Sequence, residues 1–547
     1  MLSTRAAVLP VLLALACAPG AAAQAARDTT ARAARSAVQG LVTVGGAAEE
    51  EMRTDQLRGR ADDAGFLLRS PSSMTPHGTG AHLRVLLPQV LTTWNSRIPY
   101  SVNDGAMWAA RGANAVAMAG FLAEAGPLRL IVAPEVVHAQ NRAFDDLLPV
   151  EWTPAQVASY MPVWETGVHS LDLPYRPGGR GWSQVRPGQS SLTLRVRSVS
   201  LGAATENQWW GPGIRNAIVL SNQAAGVPHL FVRAQPVSTP AGRIEGRWIA
   251  GALRDSPWFD SAAAAPRGWR SLSAAALVLH PRGTTGLSVG AARAVYREAD
   301  GAGAAAAHGA DVLARWGAGR DTAGGRGFEQ ITSLFGRWVL PGDGAEVYGE
   351  WARYRLPAGL RDLVQAPEHT QGYTLGGQWV RGRLRLQGEH TYLEESPTYR
   401  TRPIGSYYAS AVVRQGYTQE GQVLGAAVGP GGSGQWLAAD WLLGGGRAGL
   451  FLGRTRWAND AYYANPAGPH IIYLGQLVPR SRYRGHDVSV MGGLRGALPL
   501  GPMRLEAEWT LAKRYNFLFQ NYSVGFTTRD QAVDVVNHTL RLQLSPR

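Results

Sequence analysis

Three stretches of the chain concentrate side chains able to recognise a ligand. The densest is 206–234, ENQWWGPGIRNAIVLSNQAAGVPHLFVRA. Trp209 and Trp210 are neighbours at the end of what reads as a strand, so their rings face opposite sides. Gly211-Pro212-Gly213 then interrupts any ladder. Arg215, Asn216, Ser221 and Asn222 follow. Indole faces stack on the C–H surfaces of sugars, and Arg and Asn offer forked donors to hydroxyls and carboxylates. The same residues also suit a plainer role, with the Trp pair as an interface anchor and the polar residues capping turns. The second cluster is 94–112, WNSRIPYSVNDGAMWAARG. Asn103-Asp104-Gly105 is a strong turn signal, with Trp108 and Arg111 beyond it. An ordinary hairpin accounts for it equally well. The third, GYTQEGQVLGAAVGPG at 416–431, has glycines that permit close strand approach or a kink in a curved wall.

Catalytic chemistry is not encoded in a recognisable form. His280, His390 and His470 lie in separate segments, and there is no H-E-x-x-H and no P-loop. The single cysteine, Cys17, leaves no thiolate set for zinc. The expectation is a non-enzyme with neither cofactor nor metal.

The elements that must position the three clusters are strands. From about Trp94 onward the apolar pattern has a period of two. Arg243, Glu245 and Arg247 alternate with Ile244, Gly246 and Trp248, and Glu346, Tyr348 and Glu350 with Val347, Gly349 and Trp351. Arg383, Arg385, Gln387 and Glu389 oppose Leu384, Leu386 and Gly388, and Asn537, Thr539, Arg541 and Gln543 oppose Val536, Leu540, Leu542 and Leu544. A soluble sandwich alternates too. Three features favour a transmembrane antiparallel β-barrel. The runs are about ten residues, the length of a tilted crossing. Tight turns at Arg381-Gly382 and 341–344 contrast with long connections at 298–328 and 454–482. Trp and Tyr collect at segment ends, as interfacial girdles do. Opposite charges on the inner face would pair across the lumen and favour a filled or constricted interior. From Leu192 the pattern reads as one strand through Trp210, with a parity change that suggests a bulge near Arg197–Ser198.

The region ahead of the strands differs. Glu49, Glu50 and Glu51 open an expected helix over 47–59, Arg53 and Arg58 lie towards its end, and Gly59 stands as C-cap. Val38, Leu41 and Val42 suggest an earlier helix. Residues 299–326 are Gly/Ala-rich and read as a loop, or as a helix over Ala304 to Trp316. Arg5, the apolar run Ala6 to Ala16 and Ala21-Ala22-Ala23 form a secretory signal peptide too short to span a membrane. Cys17 lies inside it, with Ala14 where a lipoprotein signal would have Leu. The division is therefore 1–23 signal peptide, 24–88 a short, partly helical periplasmic or plug region, and 89–547 barrel.

Composition fits export and a barrel. With 547 residues, 45% apolar and 17% charged, and no long apolar run, the chain is neither disordered nor a helical membrane bundle. Its net charge of +14 is almost wholly arginine, since Lys513 is the only lysine. The excess points to an acidic polymer as ligand, although arginine codons in a GC-rich genome supply a second source. Nucleic acid is no partner for an exported barrel.

Beyond these patterns, the chain resembles the Wzi-type capsule assembly proteins of bacterial outer membranes. The resemblance rests on RTDQLRG and FLLRSPSS at 53–73, IPYSVNDGAMWAARG at 98–112, LRLIVAPE at 128–135, WWGPGIRNAIVLSN with GVPHLFV, GYTQEGQVLGAAVGPG, RYNFLFQ at 514–520 and NHTLRL at 537–542. It spans roughly residue 40 to the end, and WWGPG–SN–PH is its most specific part. It implies an outer-membrane β-barrel of about 18 strands with a helical bundle at its periplasmic end. It also implies a non-enzymatic, lectin-like role in holding capsular or exopolysaccharide at the cell surface. The short helical region and a terminus, LRLQLSPR, without a final aromatic depart from the pattern. The alternative function is a porin-like channel for small solutes or oligosaccharides. The expected partners are a surface polysaccharide and outer-membrane lipid, with the protein acting as a monomer. Trp209, Trp210, Arg215, Asn216 and Asn222, with Asn103, Asp104, Trp108 and Arg111, are the candidate polysaccharide-binding residues.

Overall fold

In a bilayer every backbone polar group needs an internal partner, so alternating strands must close into a barrel. In the computed structural model they do. It describes residues 40–144 (without 64 and 79), 179–256, 268–316, 327–395, 406–464 (without 411), 471–473, 476–478, 485–520 and 532–547. The signal peptide, Cys17, Val38 and His470 lie outside these residues.

The wall is a closed antiparallel barrel of 18 strands. Each strand pairs with its neighbour in sequence, and Val535–Pro546 closes on His82–Asn95 in the register Val90↔Leu544 to Asn95↔Thr539. The barrel thus starts at His82, ahead of the expected boundary at 89. Two wall strands are interrupted: Leu128–Val132 continues as Glu135–Ala139, and Trp182–Arg186 as Ser191–Val196. Register shifts at 86–89 and 234–237 each contain a proline, Pro88 and Pro236, a residue with no N–H to give to the ladder.

Alternation divides the wall chemically. Leu334, Val347, Leu437, Leu452 and Leu494 are each more than half exposed on the outside. Their inward neighbours include Arg337, Glu346, Arg385 and Asp440, none more than 2% exposed. An exposed apolar belt around a polar interior suits lipid, not water. Short turns at 126–127, 197–198, 240–241, 282–286, 341–344, 382–383, 444–445 and 501–502 mark one end, and the long connections mark the other.

The turn at 197–198 corrects the reading of one long strand from Leu192 to Trp210. Ser191–Val196 and Val199–Ala204 are two strands of a hairpin, and Arg197 takes a left-handed φ of 55°. The parity change was a turn rather than a bulge.

The interior is filled. The helix Ala47–Leu57 sits inside the short-turn end, clamped to the wall through the charged ladders. Arg53 Nε donates to Glu346 at 2.7 Å, Arg337 Nε to the same carboxylate at 2.8 Å, and Glu50 pairs with Arg385 at 2.6 Å and with Arg447. Burial disfavours the charged form of Glu50, yet Arg385, Arg447 and Arg495 outweigh it and hold its carboxyl below the usual range. Leu57 packs on Val339 and Val380. Leu41 and Val42 are buried but not helical: Leu41 C=O accepts from Gln89 Nε2 and Val42 N–H donates to Thr75 Oγ1, bonds that hold the backbone to the wall and to the lumen segment instead of to itself. The segment 302–314 is helical in two pieces, Ala302–Ala307 and Asp311–Ala314, joined by a 3-10 turn at His308–Ala310.

Candidate functional site

The three clusters, far apart in sequence, meet inside the barrel. Leu68–Arg69 forms a short ladder with Trp209–Trp210 in the lumen. Both indoles are therefore buried, at 2% and 0% exposure, and the Arg69 guanidinium lies 5.2 Å from the Trp209 ring centre. An inserted two-residue strand, invisible to local pattern, covers the faces that the sequence offered to a sugar. Glu206 fastens the same layer: it accepts from Ser72 N–H and Oγ at 2.7 Å and from Arg247 at 3.0 Å.

Around this layer the loops hydrogen-bond one another. Asn103, at a left-handed φ of 56°, donates from its N–H to Gln223 Oε1 at 2.7 Å and from Nδ2 to Arg215 C=O at 2.7 Å. Gly105 N–H donates to Asn222 C=O at 2.8 Å, and Asn222 Nδ2 to Asn103 C=O at 3.1 Å. Asp104 accepts from Ser101 Oγ at 2.8 Å and pairs with Arg541 at 3.3 Å, while burial pushes its carboxyl up. Tyr408 and Tyr417 of the third cluster's loop donate to Ile218 C=O and Val219 C=O, both at 2.9 Å. Trp108 is buried against Ala110 and Ala139, and Arg111 donates to Ser96 C=O at 3.3 Å and to Ala143 C=O. Most of the candidate residues thus tie loops together within the lumen.

Arg215 and Asn216 differ, because they face a cavity towards the long-loop end. A wall carboxylate, Glu389, positions them. It accepts from Ile214 N–H at 2.6 Å, Arg215 N–H at 3.0 Å, Asn216 Nδ2 at 3.2 Å and Tyr348 O–H at 2.8 Å. With its backbone held there, Arg215 lays its guanidinium 5.0 Å from the centre of the Trp436 ring, and Arg495 does the same at 5.0 Å. Arg495 is neutralised by Asp440 at 2.6 Å, whereas Arg215 has no carboxylate partner among the described residues. Trp436 Nε1 is buried without a hydrogen-bond partner among them. Tyr100, whose hydroxyl burial pushes up to about 12, lines the same cavity with Thr455, Trp457 and Met491. The cavity leaves about 40 Å³, room for a carboxylate group or a few waters but not for a sugar ring. Its one carboxylate is occupied, and the Arg215 guanidinium and Trp436 Nε1 are donors it presents without a protein acceptor among the described residues.

Tyr100, Glu389 and Trp436 were not among the sequence candidates. Tyr100 belongs to the second cluster but carries no binding signal of its own there. In the sequence Glu389 is only one rung of a charged ladder. Trp436 sits on a regular strand, Ser433–Leu443, which gave no signal beyond its alternation.

A closed wall, a lipid-facing belt and long connections gathered at one end define a transmembrane β-barrel of the outer-membrane type. No protein-family profile and no curated protein sequence matches the chain. In fold it is similar to Wzi, described as an outer-membrane protein involved in group 1 capsule assembly in Escherichia coli and as a carbohydrate-binding β-barrel. The TM-score is 0.54 at 12% identity, over 92% of this chain and 99% of that one. The resemblance read from the sequence is therefore met by the fold. OprD of Pseudomonas aeruginosa (TM-score 0.37, 8% identity, 86% of this chain and 94% of that one) and OccAB2 of Acinetobacter baumannii (0.38, 7%, 83% and 97%) are looser likenesses that carry no argument.

Proposed function

We propose that this protein binds capsular or extracellular polysaccharide at the outer membrane and helps to assemble or anchor it at the cell surface, without catalysing a reaction on it. The observation that carries the reading is Arg215, stacked on Trp436 with no acidic partner among the described residues and facing a small cavity beside the unpaired Trp436 Nε1. That is a receptor for an anionic substituent: the carboxylate of a sugar acid enters the cavity while its ring rests at the mouth. The likeness to the Wzi fold supports the same reading. A channel for small solutes is disfavoured by the helix Ala47–Leu57 and the three loop clusters packed in the lumen.

The test is retention of labelled surface polysaccharide by cells carrying Arg215→Ala or Trp436→Ala at equal surface level. Retention should fall at least tenfold with Arg215→Ala. Unchanged retention in both variants, with porin-like conductance in a planar bilayer, would discard the proposal.

A further inference from the structure

The outer face of the wall is not apolar throughout. The register Arg247↔Ala276, Ala274↔Ala294 and Ala294↔Ile331 places Arg247 and its partners inside. Trp248, Ser271, Ser273, Arg293, Arg297 and Gln330 therefore point outward, on neighbouring strands, towards the long-loop end. A strap, 301–316, lies over them. Trp248 Nε1 donates to Gly309 C=O at 2.9 Å, and Val312 N–H to Ser273 Oγ at 3.0 Å. Arg293 donates to the carbonyls of Val312 and Arg315, and from Nε to Gln330 Oε1 at 3.1 Å. Ala305 packs on Ala252 and Ala299. The strap thus satisfies the polar groups of this part of the lipid-facing wall.

Around the strap the side chains are cationic and aromatic. Arg297 and Arg315 converge on one carboxylate, Asp311, at 3.1 and 3.0 Å. Arg254, exposed, stacks on Trp269 at 5.0 Å, and Trp316 is 66% exposed. Among the described residues here, and with Asp300 counted, three guanidiniums stand against two carboxylates. Directly below, on the same strands, lies an open apolar groove of about 950 Å³ between Leu277, Leu279, Val289, Ala291, Leu334 and Gly336. The small side chains of Ala291 and Gly336 make its floor. Arg297 and Ala291 share one strand, six positions or about 20 Å apart.

We infer that this face is a seat for one phosphorylated membrane lipid, its anionic headgroup against Arg254, Arg297 and Arg315 and an acyl chain in the groove beneath. The two parts have the polarity and the order along the wall that such an amphiphile has, and surplus arginine at a membrane surface selects anionic headgroups. The site faces away from the lumen and is independent of the polysaccharide reading.

The full chain, reconstituted in equimolar phosphatidylglycerol and phosphatidylcholine of identical acyl chains, would be analysed by native mass spectrometry for tightly retained lipid. The wild type should retain phosphatidylglycerol at least tenfold over phosphatidylcholine. Arg297→Gln with Arg315→Gln should abolish the preference. Arg254→Gln, which breaks no strap contact, should reduce it, and Ala291→Trp should lower retention of both lipids. Heat-modifiable gel mobility would confirm that each variant forms a barrel. Equal retention of the two lipids by the wild type, or a preference unchanged in both arginine variants, would overturn the inference.

Discussion

Replacing Glu389 by Gln tests how the site is positioned. The carboxylate accepts four hydrogen bonds, three on Oε2 (Ile214 N–H, Arg215 N–H, Tyr348 O–H) and one on Oε1 (Asn216 Nδ2). A glutamine whose oxygen replaces Oε2 turns its amide N–H₂ towards Asn216 Nδ2, donor against donor. Bonds to a charged acceptor contribute about 1.5–3 kcal/mol and neutral ones about 0.5–1.5 kcal/mol. Three weakened bonds, at about 1–1.5 kcal/mol each, and one buried donor left unpaired, at about 1–3 kcal/mol, then cost roughly 4–7 kcal/mol. Tyr348→Phe, which removes one donor and leaves the charge, should cost about 1.5–3 kcal/mol. The assay is urea unfolding of vesicle-refolded protein followed by tryptophan fluorescence, combined with limited proteolysis of the 205–228 connection. Glu389→Gln should lower stability by about twice the Tyr348→Phe effect or more, and make that connection cleavable. Equal, small effects of both substitutions with no new cleavage would refute the argument that this carboxylate sets the loop.

Other outcomes follow from the lumen charges and the loops. Arg53→Met leaves Glu346 buried with Arg337 as its remaining cation and should destabilise by about 2–4 kcal/mol in the same unfolding assay. Arg385, Arg447 and Arg495 depress the Glu50 carboxyl against the cost of its burial, so its contribution is complete above the unfolded value of about 4.3 and is lost as pH falls below it. Hydrogen exchange over 47–57 should therefore accelerate below about pH 4, and less so in Glu50→Gln. Burial raises Asp460 to about 7, so the folded state holds a proton that the unfolded chain releases near 4. Stability should fall as pH rises through that window and level off above 7, and Asp460→Asn should flatten the dependence of urea unfolding on pH.

The wall was legible because lipid and lumen impose opposite demands on successive residues. Arg243 to Trp248 and Glu346 to Trp351 carry that demand in their own order. The helix over 47–57 was legible from its acidic start. The turn at 197–198 was not, since Arg-Ser carries none of the Gly or Pro marks of its counterparts at 382–383 and 444–445. The lumen was legible in kind, as paired charges, but not in content. No local pattern says that Leu68 will pair with Trp210, or that Glu389 will hold Arg215 across 174 residues of chain. The arginine excess also divides: Arg53, Arg337 and Arg385 serve ion pairs inside the wall, and Arg215 is left to face a cavity.

The central claim is that the cavity at Arg215 receives an acidic group of a surface polysaccharide. Calorimetry of the refolded protein with the purified polymer of its own cells, native and carboxyl-reduced, tests it most directly. The account predicts binding of the native polymer, at least tenfold weaker binding of the reduced one, and the same loss with Arg215→Ala. Equal binding of both polymers, undiminished in Arg215→Ala, would contradict it.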